Sequence, residues 1–482
     1  MCHRANPLRL RRQDCRRNGY LIPLPELEGI SSRLIELHRS EVPESAREAA
    51  KLALLHNLVV AFAARDVRVT GEPHASRATE DTSGTGRRLR DGYRAPVHAA
   101  LLSNSLLMGA RAQHDEHPAS VAHYGSVIIP GLLALIDSNA LDVTPHDAGG
   151  RVLNAMAVGY QAGAALAKAV GPHSTPRGFR PTGLFGPFAG ATASSLARGA
   201  DAVELRQALA FALSSASSLT QVWRDGSDEW RFQTAFAARA GFESAEIAAA
   251  GATGATHALE GSSGFARAFG QLDGSELEAV SAQVLPNLDR FWTVEELLLK
   301  PYPVCAINQS AVLRALSLVE RFDINPLAVE RVEVSLAPSD ASYPGIDWAG
   351  EPRSLAQAMM SLPHAMATAL VERTVEYEHL MPPYHPLVGD LARRVSIIAD
   401  PAICDDHAAI VRLRLRSGET IGTIEPASVP RSWEATSELM HRLSPYHRLS
   451  EQAISRLVAA VRGLDGDAGL PQFVAALYTD HR

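Results

Sequence analysis

Apolar residues recur at helical spacing from about Leu24 to about Gly270, the pattern that turns one face of a helix toward a core. "ESAREAAKLALLHNLVVAFAA" (Glu44 to Ala64) shows it clearly, with Pro43 where the helix should start. "LRQALAFALSSASSLTQVW" continues it, with Leu205, Leu209, Leu213 and Ala216 on one stripe. "YGSVIIPGLLALI" (Tyr124 to Ile136) reads as a buried apolar helix, and the small residues of "GPFAGATASSLARGA" (Gly186 to Ala200) allow close backbone approach. A dense helical bundle follows from these stretches.

The period changes after about Leu297. "VERVEVSLAP" alternates Val329, Val332, Val334 and Leu336 as a half-buried strand does. "SLAQAMMSLPHAMATALVERT" predicts a helix interrupted near Pro363, "RRVSIIADP" a second strand, and "AAIVRLRLRSGETIGTIEP" a hairpin turning at Ser417-Gly418. One helix between strands, with no run of βαβ units, predicts a small α+β domain. "SEQAISRLVAAVRGL" from Ser450 is helical again. The expected fold class is mostly α with a smaller α+β domain. Its divisions are a disordered basic extension over 1–24, a helical domain over 25–295 and 430–482, and an α+β domain over 296–429.

Composition narrows the function classes. The 482 residues are 46% hydrophobic and 21% charged, as in an ordinary soluble protein. A net charge of −7 gives no basis for a nucleic-acid partner. The six arginines between Arg4 and Arg17 precede no apolar run, so they form no signal peptide. The longest charge-free stretches, between Arg180 and Arg198 and between Arg206 and Arg224, are rich in Ala, Ser and Gly, and no membrane span is expected. Cys2, Cys15, Cys305 and Cys404 are scattered, which fits a reduced, cytoplasmic compartment.

The densest chemistry lies in "ARAQHDEHPASVAHYGS" (Ala110 to Ser126), which holds His114, Asp115, Glu116, His117 and His123. Pro118 places His114 and His117 at a helix end or in a loop, where their spacing imposes no metal bite. A solvated loop suits Glu116 and His117. His123 borders the apolar run, where partial burial tunes an imidazole for acid–base work; a structural histidine is the alternative. Arg177 and Arg180 flank Phe179 in a Gly/Pro-rich loop feeding a helix, a setting for carboxylate capture or for two solvated arginines. Arg231 lies between two aromatics. "KPYPVCAINQ" either presents Lys300 and Tyr302 to an interdomain cleft or serves as a stiff linker.

In their order along the chain these segments resemble the MmgE/PrpD family, whose members include 2-methylcitrate dehydratase, cis-aconitate decarboxylase and iminodisuccinate epimerase. The matching stretches are "HPASVAHYGSVIIPGLLAL", "RGFRPTGLFGPFAGATASSLARG", "GFESAEIAAAG", "SSGFARAFG", "KPYPVCAIN" and "SLAQAMMSLPHAMATAL". The resemblance implies a homodimer with a large helical domain and a smaller α/β lid. It also implies an active site between the two that works without metal or organic cofactor on small di- or tricarboxylates. His123 matches the family histidine. Before it, the family's Asp-Phe-Asp-Asp-Thr-like run is replaced by Ala112, Gln113, His114, Asp115 and Glu116. Its Lys-Gly-Phe-His motif becomes Arg177-Gly178-Phe179-Arg180, and its second lysine falls near Trp230 and Arg231. Asn308 stands near the place of a lid histidine.

Arginine keeps its proton at neutral pH, so proton transfer falls to His123, Asp115 and His114. Arg177, Arg180, Arg231, Lys300 and Tyr302 are the expected substrate-binding groups. The implied activity is a cofactor-independent lyase that abstracts a proton beside a carboxylate. An epimerase or isomerase using the same abstraction, and a non-catalytic carboxylate-binding scaffold, are the alternatives.

Overall fold

The structure is a computed structural model that describes residues 26–71, 83–141, 147–405, 407–422 and 429–478; the basic extension expected over 1–24 lies outside them. Long helices build most of the molecule: Glu44–Ala63, Val97–Gly109, Gly125–Asp137, Ala148–Ser174, Pro181–Arg198, Ala202–Ser214 and Glu229–Ala249. Pro181–Arg198 is buried almost along its whole length and packs on Ala148–Ser174 and Glu229–Ala249. Small residues permit that approach. A Cβ added at Gly241 would stand 2.8 Å from the Pro187 carbonyl oxygen and 2.9 Å from the Gly190 Cα.

The Leu205–Trp223 stretch departs from one continuous helix. The helix stops at Ser214, and the following loop spends its backbone on the Arg180 turn: Arg180 N–H donates to the Ser218 carbonyl (3.0 Å), and Ser217 N–H donates to the Gly183 carbonyl (3.3 Å). A short helix, Gln221–Asp225, then carries Trp223. Tertiary pairing overrides local propensity here.

The C-terminal region holds a four-stranded sheet in the order Val395–Ala399, Val329–Leu336, Ala409–Leu415, Thr420–Gly422. The first pair is parallel and the other two are antiparallel. Val332, Val334, Leu336, Val411 and Leu413 point into one apolar cluster, against the helices Gln309–Phe322 and Leu362–Glu372. The interruption expected near Pro363 falls at Ser361, whose hydroxyl accepts the His364 N–H (2.9 Å) to cap a new helix with Pro363 in its first turn.

Leu439, Met440, Leu443, Ile454, Leu457 and Phe473 join the core of the helical region, so the chain returns there after the sheet. Trp223 and Trp230 cross the seam in the other direction and pack into the core beneath the sheet. Through them the two cores meet beside the loop that carries His114 and His123.

Candidate active site

That loop, between the helices Val97–Gly109 and Gly125–Asp137, is buried rather than solvated. His114, Asp115, Glu116 and His117 are each at most 5% exposed. Left-handed residues at Ala112 (φ 58°) and Val121 (φ 50°) bend it inward. It is stitched to the segment preceding the lid. Glu116 and Leu298 exchange two backbone hydrogen bonds (3.0 and 2.8 Å), and the Gln113 amide donates to the Pro301 carbonyl (2.9 Å). Lys300 is held between these two ties.

The expectation that Glu116 and His117 form a solvated surface fails for a definite reason: each has a partner inside. His117 pairs with the Ser120 hydroxyl (2.8 Å) and Glu296 (3.4 Å). Glu116 faces His407 (3.5 Å), which in turn contacts Asp340 (3.0 Å). Burial alone would neutralise His407, but Glu116 and Asp340 raise its pKa to about 10, so it is a cation at neutral pH.

A small pocket of about 30 Å³ opens inside the loop, with His114, Glu116, His123, Arg180, Lys300 and Tyr343 among its walls. Trp223, Trp230, Cys305, Met359 and Met360 complete it with the smaller Ala112, Val121 and Ala306. His123 is oriented by its own loop. Its Nδ1 lies 2.8 Å from the Asp115 carbonyl oxygen, which can only accept, so Nδ1 carries the proton and Nε2 keeps its lone pair. Burial, then Lys300 and Arg180, push the His123 pKa well below its ordinary value. His114 lies with its ring centroid 4.2 Å from that of His123, and neither of its buried nitrogens has a hydrogen-bond partner. Burial and His123 hold it neutral too.

Asp115 serves through its backbone. Its side chain turns away from the pocket, accepting from the Tyr160 hydroxyl, while its N–H donates to Asn57 (3.4 Å). Burial raises its pKa to about 6, against the opposing pull of Tyr160 and Asn57. Gly125 leaves room for this cluster; a Cβ there would meet Asp115 Oδ1 at 2.5 Å and Asn57 Nδ2 at 2.6 Å.

Two cations face the imidazoles. Arg180 is 2% exposed, donates to the Trp230 carbonyl and Gln233, and stacks 4.9 Å over Trp223. Burial lowers its pKa to about 10, leaving it charged at neutral pH. Lys300 is also 2% exposed and has no hydrogen-bond acceptor among the described residues. Burial drops it to about 8, with Glu116 the main opposing influence. A lysine so placed can give up a proton near neutral pH.

The other expected residues are spread more widely. Arg177 is exposed, donates to the Phe269 carbonyl (2.6 Å), and borders a separate outer cleft. Arg231 borders neither space: it reaches the Ala110 carbonyl (3.2 Å), Tyr377 (3.4 Å) and Asp228 (3.3 Å) and stacks on Trp230, tying the helical region to the lid. Tyr302 lies on the far side of the Lys300 turn, beside Arg442 and His56. The backbone bends over 301–304, and Lys300 and Tyr302, two residues apart, line different cavities. Asn308 donates to the carbonyls of Met359 (3.4 Å) and Met360 (3.0 Å), fixing two residues of the pocket wall.

Sequence reasoning missed Asp340, Tyr343 and His407, which stand singly in the lid and carry no local pattern. Trp223 offered no signal beyond being an aromatic residue in a stretch rich in small and polar side chains. Among the described residues no three His, Cys, Asp or Glu side chains are arranged to hold a metal ion, and no helix is long and apolar enough to cross a membrane.

Two family models match the chain. The MmgE/PrpD N-terminal domain matches residues 28–278, and the MmgE/PrpD C-terminal domain matches residues 302–428. A cis-aconitate decarboxylase from Aspergillus terreus is 25% identical over 404 residues, covering 80% of this chain and 81% of the relative. A cis-aconitate decarboxylase-like protein, oryM, from Aspergillus oryzae is 27% identical over 332 residues, covering 66% of this chain and 67% of that protein. The chain belongs to the MmgE/PrpD family.

Proposed function

We propose that this protein is a lyase that removes a proton beside a carboxylate of a small di- or tricarboxylate and then expels water or CO2. The observation that carries the proposal is the His123 tautomer: Nδ1–H is committed to the Asp115 carbonyl, which leaves Nε2 as a base on the pocket side. Arg180 and Lys300 supply the positive field that binds carboxylates and stabilises the enolate-like charge. With its pKa near 8, Lys300 can also protonate the departing hydroxyl or the carbanion carbon, a role that neither Arg177 nor Arg180 can fill. His114 has two unpartnered nitrogens to offer the substrate. The relatives named as cis-aconitate decarboxylases support the lyase class for this chain.

At about 30 Å³ the pocket holds one or two waters, so a polycarboxylate enters as the lid wall of Tyr343, Met359 and Met360 separates from the loop. A neutral histidine and a titratable lysine in one pocket would also serve an epimerase, which is the second reading.

Proton NMR in D2O with citrate, 2-methylcitrate, cis-aconitate, malate and iminodisuccinate tests both. A new alkene, or loss of CO2 from cis-aconitate, absent in His123→Ala, is the expected result. Deuterium exchange with neither would establish the epimerase reading, and an active His123→Ala would remove the proposed base.

A further inference from the structure

Glu116 is the only carboxylate among the described residues that line the inner pocket, an odd tenant for a site built to take anions. It is 1% exposed, and its two backbone hydrogen bonds with Leu298 fix its place in the loop. Its Oε2 stands 3.5 Å from His407 Nε2, beyond ordinary hydrogen-bond length, and both buried atoms lack a hydrogen-bond partner. His407 is already held from its other side, where Asp340 accepts from Nδ1 (3.0 Å) and from the backbone N–H (3.2 Å). The Glu116 charge is also felt inside the pocket: after burial it is the first influence on Lys300 and on Cys305, whose thiol the two causes push up to about 12.

Charge decides what can complete this arrangement. Among the described residues neither Arg180 nor Lys300 has an ion-pair partner, so two substrate carboxylates match the two cations. A third carboxylate beside Glu116 would meet a like charge in a dry pocket. A hydroxyl or ammonium group there would supply the donor that Oε2 lacks, in a hydrogen bond of the stronger, charge-assisted kind. We propose that Glu116 reads the substituent between the two bound carboxylates, accepting a hydroxyl or ammonium group and rejecting a carboxylate, so that the preferred substrates are hydroxy- or amino-dicarboxylates rather than tricarboxylates. This rests on the lyase reading only for the placement of two carboxylates on Arg180 and Lys300.

Calorimetric titration with four acids that differ only at C3 tests this without requiring turnover: glutarate, 3-hydroxyglutarate, 3-aminoglutarate and tricarballylate, whose C3 bears a carboxylate. The hydroxyl or ammonium group should lower Kd about ten- to hundredfold relative to glutarate, and the third carboxylate should raise it. The tighter of the two donors names the substituent that Glu116 reads. Glu116→Gln keeps the size and removes the charge, and should shrink the Kd ratio of tricarballylate to that donor by about tenfold or more. Tricarballylate binding as tightly as the better donor in the wild type overturns the inference whether or not the variant folds. A ratio unchanged in Glu116→Gln overturns it as well. Either result alongside alkene formation or CO2 release would defeat the selectivity and leave the lyase standing. The expected order, with no turnover of any polycarboxylate, would do the reverse, and failure of all four acids to bind would remove both.

Discussion

Two regions along the seam between the helical part and the lid bury cations, and they treat them differently. Around Tyr377, Arg111 lies between the Tyr377 and Tyr446 rings and donates to Gln113, while Arg231 meets Asp228, a carbonyl and a hydroxyl. In the pocket, Lys300 has no acceptor and His114 has two idle nitrogens. Buried polar groups are ordinarily paired because an unpaired one costs about 1–3 kcal/mol. The first region engages each arginine through several partners, leaving only Arg111 Nη2 and Arg231 Nε over, and reads as joinery. The second keeps its groups unspent at some cost in stability, which is what binding a charged substrate requires.

The largest expected effect falls on the pocket. His123→Ala should lower turnover by about 10²–10⁴-fold with little change in melting temperature, since only one hydrogen bond to a carbonyl is lost. A thermal shift as large as that of a core truncation would instead make His123 part of the joinery.

Lys300→Met sharpens the contrast further. Turnover should fall by about 10²-fold or more while the melting temperature rises, because an unpartnered buried ammonium is replaced by an apolar chain of similar length. A fall in both would mean that Lys300 holds the seam together. In the wild type, activity should decline as pH rises through about 8, where Lys300 loses its proton. Glu116→Gln removes a neighbour that raises the Lys300 pKa, so that decline should move to lower pH.

Stability has its own pH signature. His407 is raised from 6.5 to about 10 in the fold, so its contribution is complete below about 6.5 and is lost as pH climbs toward 10. Lys300 is lowered from 10.5 to about 8, so its penalty is complete below about 8 and is relieved above it. Between pH 6.5 and 8 the His407 contribution should fall. It is opposed by the buried neutral histidines, His114 and His123 among them, whose lowered pKa values make stability rise as the unfolded chain finishes losing its protons. Asp340→Asn should flatten the fall; an unaltered profile would show that His407 is not held by that carboxylate.

The smallest functional effect is expected in the joinery. Arg231→Lys should cost about 1–2 kcal/mol of stability by loosening several hydrogen bonds, yet change kcat/KM only a few-fold. A loss of kcat comparable to that of His123→Ala would move Arg231 into the active site.

The elements were largely legible from periodicity, since the 3.6-residue stripes and the alternation of Val332 and Val334 follow from which faces are buried. Local pattern misled where another part of the chain claimed the backbone, as at Ser215–Thr220. It also misled where polar residues found partners at long range, as Glu116 did in His407. Of the expected site residues, the structure gathers His114, His123, Arg180 and Lys300 in one pocket. It turns the Asp115 side chain behind them, puts Arg177 on the outer cleft, and sets Arg231 and Tyr302 apart from both.

By itself the sequence determined the family and the helical and α+β parts. It also determined a supply of histidine and arginine without the acid–base lysines expected at Arg177 and Arg231, because period, turn residues and motif order are local quantities. Only the tertiary structure decided that Lys300 is the titratable cation beside His123, that Asp115 orients the His123 imidazole through a carbonyl, and that His407 is charged. Burial and the distance between residues far apart in sequence govern those three facts, and neither is written in any one stretch of the chain.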